Sequence, residues 1–143
     1  MKKKHIFISH SDRDHTFIDN LRKSLELQGL EVWVDNKQVR AGYGLERTFK
    51  EAIETARAFI VVFSINTFNS GWVLKEVQHA LKVRKKQGRD YAVIPLLLEG
   101  VGHDALQLYF REDTAGIEIE VGPGGISEAM PRVLAALGLP SMG

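Results

Sequence analysis

The sequence predicts an α/β domain of three layers, in which helices cover both faces of a five-stranded parallel sheet. Short apolar runs typical of strands alternate with amphipathic helical segments along the chain. The run Ala58–Phe63 is apolar at every position, as a central strand with helices on both faces requires. The chain has 143 residues, and since about 100 to 200 residues form one domain, residues 1–143 are predicted to be a single domain.

The first strand and helix are predicted close to the start of the chain. Residues 5–9 form a short β-branched and aromatic run that stops at a Ser-Asp cluster, which is typical of a buried strand. Ser11 and Asp14 have the spacing of a capping box, with Asp in place of Glu. The apolar residues that recur every four positions in the following helix are Phe17, Leu21 and Leu25.

The second and third strands are separated by a loop and a helix. Residues 30–35 alternate apolar and polar side chains and predict the second strand, and residues 36–44 predict a loop with two glycines. Apolar residues lie on one helical stripe between positions 45 and 56. This helix leads directly into the central strand at Ala58–Phe63.

A third helix and a fourth strand follow. Asn69 or Ser70 is predicted to cap the helix, because both residue types are favoured at that position. Residues 91–98 predict the fourth strand, and Pro95 within it cannot donate to a neighbouring strand. We therefore expect a bulge at Pro95 or a position near the edge of the sheet.

The last part of the chain predicts an edge strand between two helices. A short helix is predicted at residues 105–109. Residues 117–121 alternate apolar and acidic side chains, which indicates a strand with one wet face at an edge of the sheet. The final helix contains Pro131, which the sequence places in the first helical turn because proline is tolerated there.

Composition and charge exclude several classes of protein. The formal net charge is +1, from 19 basic and 18 acidic residues, and 44% of the residues are hydrophobic. The chain is therefore neither a disordered polymer nor a polycation built for nucleic acid. The absence of Cys excludes disulfides and thiolate chemistry and favours the cytoplasm. No window approaches the roughly 20 apolar residues that cross a bilayer, so no membrane association is predicted.

The sequence contains no recognisable metal or phosphate-binding motif. The five His residues form no HExxH pair, and no GxxxxGK[ST] segment occurs. Gly42-Tyr43-Gly44 begins like a dinucleotide fingerprint but lacks the third Gly. The first strand ends without the paired acidic residues that phosphotransfer would need. Metal and phosphotransfer chemistry are not predicted.

Trp72 and Glu76 are the most informative pair in the sequence. They are four residues apart on a predicted helix and share a face to one side of Val73, which places Glu76 beside the core and not within it. In one interpretation the Glu76 carboxylate stabilises positive charge on a sugar near the strand ends. In the other, Glu76 is a first-turn acid favoured by the helix dipole, beside a Trp that flanks the core. Spacing alone leaves both open.

Three segments of the chain occur together in a known order. They are HIFISHS at residues 5–11, VWVD at 32–35, and SGW at 70–72 with Glu76 one turn later. Together they resemble a TIR domain of the bacterial type, over nearly the whole chain. The resemblance implies a flavodoxin-like fold, and enzymatically active members cleave NAD between nicotinamide and ribose. It makes Glu76 the catalytic candidate and NAD a substrate, with no cofactor.

The resemblance also implies what surrounds Glu76. Trp72 is expected to form a wall of the nicotinamide-ribose pocket, with the loop 36–44 beside it. The other substrate-binding candidates lie at or just after predicted strand ends or in that loop; they are His10, Ser11, Asp35, Gly42 and Ser64. Structural roles are alternatives for them, since His10 also ends a strand, Asp35 starts a turn and Gly42 supplies backbone freedom.

The leading functional hypothesis is an NAD glycohydrolase that acts as a toxic or signalling effector in bacterial defence. One alternative is a non-enzymatic adaptor that binds other TIR domains through the loop 36–44. A second alternative is an enzyme resembling nucleoside deoxyribosyltransferases. The expected partners are NAD, further copies of the domain on activation, and a sensor domain or protein outside this chain, because the sequence ends just past a helix as an excised domain does.

Overall fold

A computed structural model of the protein describes residues 5–34, 45–110 and 118–139. Within these ranges the strands are β1 (Ile6–Ser9), β2 (Val32–Val34), β3 (Ala58–Phe63), β4 (Ala92–Leu97) and β5 (Ile119–Glu120). All neighbouring pairs are parallel, and the order in the sheet is β2-β1-β3-β4-β5. The predicted five-stranded parallel sheet is confirmed.

Helices cover both faces of the sheet. In the described ranges they are α1 (His15–Leu27), α2 (Leu45–Thr55), α3 (Gly71–Gln87), α4 (Asp104–Phe110) and α5 (Gly125–Ala136). Side chains of α1 and α5 pack in the core cluster on one face, and those of α2, α3 and α4 pack in the cluster on the other face. The three predicted layers are therefore present. None of these helices has the length and apolar character needed to cross a bilayer.

The central strand is β3, and every one of its side chains is buried. It pairs with β1 on one side and with β4 on the other. Phe59 and Val61 belong to the cluster beneath α2, α3 and α4, whereas Ile60 and Val62 belong to the cluster beneath α1 and α5. The burial on both faces that the apolar run predicted is confirmed.

The edge strand β5 pairs with β4. Ile119 and Val121 are buried while Glu120 is exposed, as the alternating pattern predicted. β4 runs in continuous register with β3 through Pro95, and its pairing with β5 begins at Leu96. Pro95 thus lies in the strand next to the edge strand, at a position that β5 does not reach. The position near the edge is therefore found, and the expected alternative, a bulge in the pairing with β3, is not.

The predicted place of Pro131 is wrong. Pro131 lies inside α5 and beyond its first turn, because the helix already begins at Gly125. The fixed φ of proline suits a helical backbone, but inside a helix its ring crowds the carbonyl four residues earlier and one backbone hydrogen bond is lost. Met130 and Val133, on either side of Pro131, are buried in the core and hold the helix in place.

A pH-sensitive contact joins the residues before α4 to β5. The Nε2 atom of His103 lies 2.7 Å from Glu120 Oε1, and its Nδ1 atom lies 3.2 Å from Glu118 Oε1. The hydrogen bonds to Glu120 and then Glu118 raise the pKa of His103. Because this folded-state pKa is raised, the contact stabilises the fold fully below the unfolded-state pKa of about 6.5 and loses its effect as pH rises through the folded-state value.

An NMR titration of the His103 ring checks this contact. We expect a pKa above the ordinary value of about 6.5, and we expect Glu120→Gln to lower it by removing the stronger of the two acceptors. Glu54→Gln on α2 serves as the control, since Glu54 is bonded to His79 and not to His103. A His103 pKa that Glu120→Gln does not change would contradict the assignment.

Candidate active site

A buried carboxylate lies where the end of β1 meets α3. Glu76 is 0% exposed. Ser9, the last residue of β1, donates from Oγ to Glu76 Oε1 at 2.6 Å, and the indole Nε1 of Trp72 donates to Glu76 Oε2 at 3.0 Å. Both carboxylate oxygens therefore accept a hydrogen bond, which offsets part of the cost of burying the group.

The full burial of Glu76 corrects the prediction that it lies beside the core. Helical spacing describes which face of α3 a residue occupies, but not how closely the neighbouring strand approaches that face. β1 brings Ser9 against this part of α3, and Glu76 is enclosed as a result. Ser9 was missed by the sequence analysis. Strand alternation could have found it, because Ser9 lies on the same face of β1 as Phe7, which packs beneath α3.

The start of α3 sets the position of Trp72 and Glu76. Ser70 caps the helix, its Oγ accepting from the Val73 amide at 3.5 Å, which confirms one of the two predicted caps. Val73 and Val77 are fully buried in the core and fix the rotation of the helix. With that rotation, residues 72 and 76 are stacked one turn apart on the side facing β1.

Trp72 packs against the core and also contacts the Glu76 carboxylate. Its ring meets Phe49 of α2 edge-on, with centroids 4.9 Å apart. The Lys75 ammonium lies 5.9 Å from the centre of the same ring, on the exposed side of the helix. Trp72 is partly buried and packs against the core cluster, so the sequence interpretation of a Trp that flanks the core is correct. Its hydrogen bond to Glu76 adds a second role.

His10 and Ser11 follow β1 and are both buried. His10 Nδ1 lies 2.8 Å from the Ser11 carbonyl oxygen, and because a carbonyl can only accept, Nδ1 carries the proton. The Ser11 hydroxyl oxygen accepts from the Arg13 amide at 3.4 Å and caps the 3₁₀ turn Asp12–Asp14. These contacts place both residues in the turn next to Ser9. Their binding of substrate stays a prediction.

Ser64 lies in a different polar cluster from Glu76. Its hydroxyl donates to Asp14 Oδ2 at 2.6 Å, at the amino-terminal end of α1. The Ser64 side chain therefore bonds Asp14 and the Asn66 amide and not the Ser9, Trp72 and Glu76 group, and its binding of substrate stays a prediction. The predicted capping box is also corrected, since the Asp14 carboxylate accepts from Ser64 and Asn66 and makes no cap bond to its own helix.

Two candidates and a loop lie outside the described residues. Asp35, Gly42 and the segment 36–44 are in this group, and their roles stay predictions. In the part of the chain that is described, no three His, Asp or Glu side chains are grouped so as to hold a metal ion.

The fold and the site define a class: a doubly wound α/β domain with a buried carboxylate at the carboxyl edge of its parallel sheet. A sequence model of the TIR domain matches residues 6–120. The chain therefore belongs to the TIR domain family, and the predicted resemblance is confirmed.

Named relatives and a solved structure extend the comparison. The NAD(+) hydrolase PdTIR of Paracoccus denitrificans is 37% identical over 73 residues, which are 50% of this chain and 24% of the relative. The NAD(+) hydrolase TcpA of Theionarchaea archaeon is 29% identical over 105 residues, which are 73% of this chain and 31% of the relative. The chain thus spans about a quarter to a third of these relatives. In the crystal structure of the RPS4 and RRS1 TIR domain heterodimer, a matching chain has a TM-score of 0.66 at 19% identity and covers 94% of this chain and 98% of that one, which shows a shared fold.

Proposed function

We propose that this domain is an NAD glycohydrolase that cleaves the bond between nicotinamide and ribose, with Glu76 as its catalytic residue. The observation that carries the proposal is the buried Glu76 carboxylate, held by Ser9 and Trp72 at the carboxyl edge of the sheet. Ligands of doubly wound sheets bind at this edge. The proposal is supported by relatives that are named NAD(+) hydrolases.

The chemistry needs one negative charge near the ribose. As the glycosidic bond breaks, its electron pair goes to the ring nitrogen and nicotinamide leaves as a neutral molecule. The ribose carbon becomes oxocarbenium-like, and a fixed carboxylate stabilises that positive charge. Water then bonds to the same carbon and loses a proton, which gives ADP-ribose. NAD is the substrate throughout and no cofactor is required.

The hydrogen bonds of Glu76 define how substrate reaches it. The carboxylate is fully buried, and the partly exposed Trp72 indole bonds Oε2 while Ser9 bonds Oε1. A ribose hydroxyl contacts Oε2 when it replaces the indole N–H as donor, so one hydrogen bond is exchanged for another. Ser9 keeps the carboxylate oriented during the exchange, because its hydroxyl lies at the end of a fully buried strand.

We also propose that the domain acts as a toxic or signalling effector of bacterial defence in the cytoplasm. Its activity would be controlled by a sensor outside this chain and by association with further copies of the domain. Support for association comes from the matched structure, in which the RPS4 and RRS1 TIR domains form a heterodimer. The relatives are three to four times longer than the matched segment, which leaves room for a sensor in proteins of this kind.

Incubation of concentrated protein with NAD tests the proposed activity. We expect nicotinamide and one adenine-containing product in equal amounts, resolved by chromatography. Free ADP-ribose would identify water as the nucleophile, and a cyclic product would identify a group of the substrate itself. If concentrated and assembled protein releases no nicotinamide, the glycohydrolase assignment fails and the adaptor alternative replaces it.

The activity per molecule is expected to rise with protein concentration. Association that completes the site makes the active fraction depend on concentration by mass action. Initial rates should be measured over about a hundredfold dilution, together with the sedimentation coefficient at each concentration. A specific activity that stays constant over this range would contradict activation by association.

A further inference from the structure

Asp14 carries a buried carboxylate that the proposed chemistry does not use. The residue is 9% exposed. Its Oδ2 accepts from the Ser64 hydroxyl at 2.6 Å, and its Oδ1 accepts from the Asn66 side-chain amide at 3.0 Å. Hydrogen bonds to an ionised acceptor are shorter and stronger than neutral ones. The donors lie 50 and 52 positions further along the chain, so the carboxylate joins two distant segments.

The segment that contains Ser64 and Asn66 leads to α3. The Ser64 amide donates to Thr67 Oγ1 at 2.8 Å, and the Thr67 hydroxyl donates to the Val62 carbonyl at 3.3 Å. Tyr109 of α4 donates from its hydroxyl to the Thr67 carbonyl at 3.2 Å. The Ser70 amide bonds back to Thr67 at 2.9 Å, and Ser70 then caps α3. The bonds from Asp14 thus reach the start of the helix that carries Glu76.

The segment that contains Asp14 begins at the end of β1. The Asp14 amide donates to the Ser11 carbonyl at 3.0 Å and closes the turn after the strand. Ser9, immediately before this turn, bonds Glu76. One short stretch of chain, residues 9–14, therefore contacts the Glu76 carboxylate at one end and the loop leading to α3 at the other.

Asp14 lies at the N-terminus of α1, where the helix dipole favours a negative charge, but the hydrogen-bond partners of its carboxylate are distant in the chain. Asp14 makes no cap bond to α1, and the ion pairs found among residues 5–34, 45–110 and 118–139 do not include it. Burial of a carboxylate without a cation opposes folding unless its hydrogen bonds compensate. The bonds that do so are those to Ser64 and Asn66, and their effect is to fix two loops relative to each other.

We propose that Asp14 is a positioning residue, whose carboxylate holds the end of β1 and the start of α3 together so that Ser9 and Trp72 keep Glu76 aligned. This inference rests on the proposed NAD cleavage. Asp14 acts through the two loops and does not touch the substrate. A displacement of about 1 Å at a reacting group can lower a rate by about a hundredfold. Loss of the hydrogen bonds between Asp14 and the loop before α3 should therefore reduce turnover more than it reduces NAD binding.

Three variants test this role. Asp14→Ala removes the hydrogen bonds to Ser64 and Asn66, whereas Asp14→Asn keeps the shape of the side chain and part of the hydrogen bonding. Asp12→Ala is the matched control, because Asp12 is an exposed acid of the same turn. We expect Asp14→Ala to lower kcat by about tenfold to a hundredfold with KM changed less than about threefold. We expect Asp14→Asn to restore most of the turnover and Asp12→Ala to have the wild-type kcat.

Amide hydrogen exchange supplies a readout that does not depend on activity. We expect exchange in residues 64–70 to increase in Asp14→Ala and to stay at the wild-type level in Asp12→Ala. Folded Asp14→Ala with a wild-type kcat, or with unchanged exchange in this loop, would overturn the proposal. If the wild type releases no nicotinamide, the proposed function fails, and the exchange comparison still decides whether Asp14 joins the loops.

Discussion

Glu76→Gln is expected to lower nicotinamide release by about a hundredfold to a thousandfold, because the variant loses the charge that stabilises the ribose cation. The amide keeps the size of the side chain. Its oxygen still accepts from Trp72 Nε1, and its NH₂ group donates to the Ser9 hydroxyl in place of the present bond. Initial rates at saturating NAD measure the effect, since an interaction made mainly in the transition state lowers kcat more than it raises KM.

The stability of Glu76→Gln separates chemistry from folding. A neutral amide costs less to bury than a carboxylate, so the melting temperature should stay near that of the wild type or rise. Glu54→Gln is the control, because Glu54 is an exposed acid of α2 bonded to His79. We expect that control to retain wild-type turnover. Release by folded Glu76→Gln at a rate near that of the wild type would refute the catalytic assignment.

Trp72→Ala is expected to weaken NAD binding and to destabilise the fold together. The substitution removes the edge-on contact with Phe49 and the indole donor to Glu76. Loss of a partly buried ring should lower the free energy of unfolding by about 1 to 3 kcal/mol. Denaturant titration measures the second effect, and KM for NAD measures the first.

Two further variants distinguish a pocket wall from general packing. Trp72→Phe keeps a ring against Phe49 but removes the indole N–H, and we expect it to retain most of the NAD affinity. Trp33→Ala removes a ring that stacks on Phe7 at 4.9 Å, and we expect it to destabilise the fold without raising KM. If Trp33→Ala and Trp72→Ala raise KM equally, Trp72 is a packing residue and not a wall of the pocket.

The sequence predicted the layers of the fold because burial on a strand or helix face is recorded in local periodicity. The fully apolar β3 indicated a strand buried on both faces, and the alternating residues of β5 indicated a strand buried on one face. The sheet order agrees, since β3 is central and β5 is at an edge. Pro131 was misplaced because apolar periodicity does not show where a helix begins.

The interior of the site could not be predicted to the same extent. The hydrogen bond from Ser9 to Glu76 spans 67 positions, and the bond from Ser64 to Asp14 spans 50. Such contacts depend on which strand lies beside which helix, and a pattern within one element does not contain that information. Glu76 and Trp72 were identified by their spacing and by the family resemblance, whereas Ser9 and the role of Asp14 emerged only from the packed structure.

The most direct test of the catalytic role of Glu76 compares folded Glu76→Gln protein with the wild type. NAD is followed in both samples by a one-dimensional NMR time course, at a protein concentration where the wild type is assembled. Line broadening of the NAD signals reports binding, and the free nicotinamide signals report cleavage in the same sample. We expect both proteins to broaden the NAD signals and nicotinamide to accumulate with the wild type alone. Accumulation of nicotinamide at similar rates with both proteins would contradict the assignment of Glu76 as the catalytic residue.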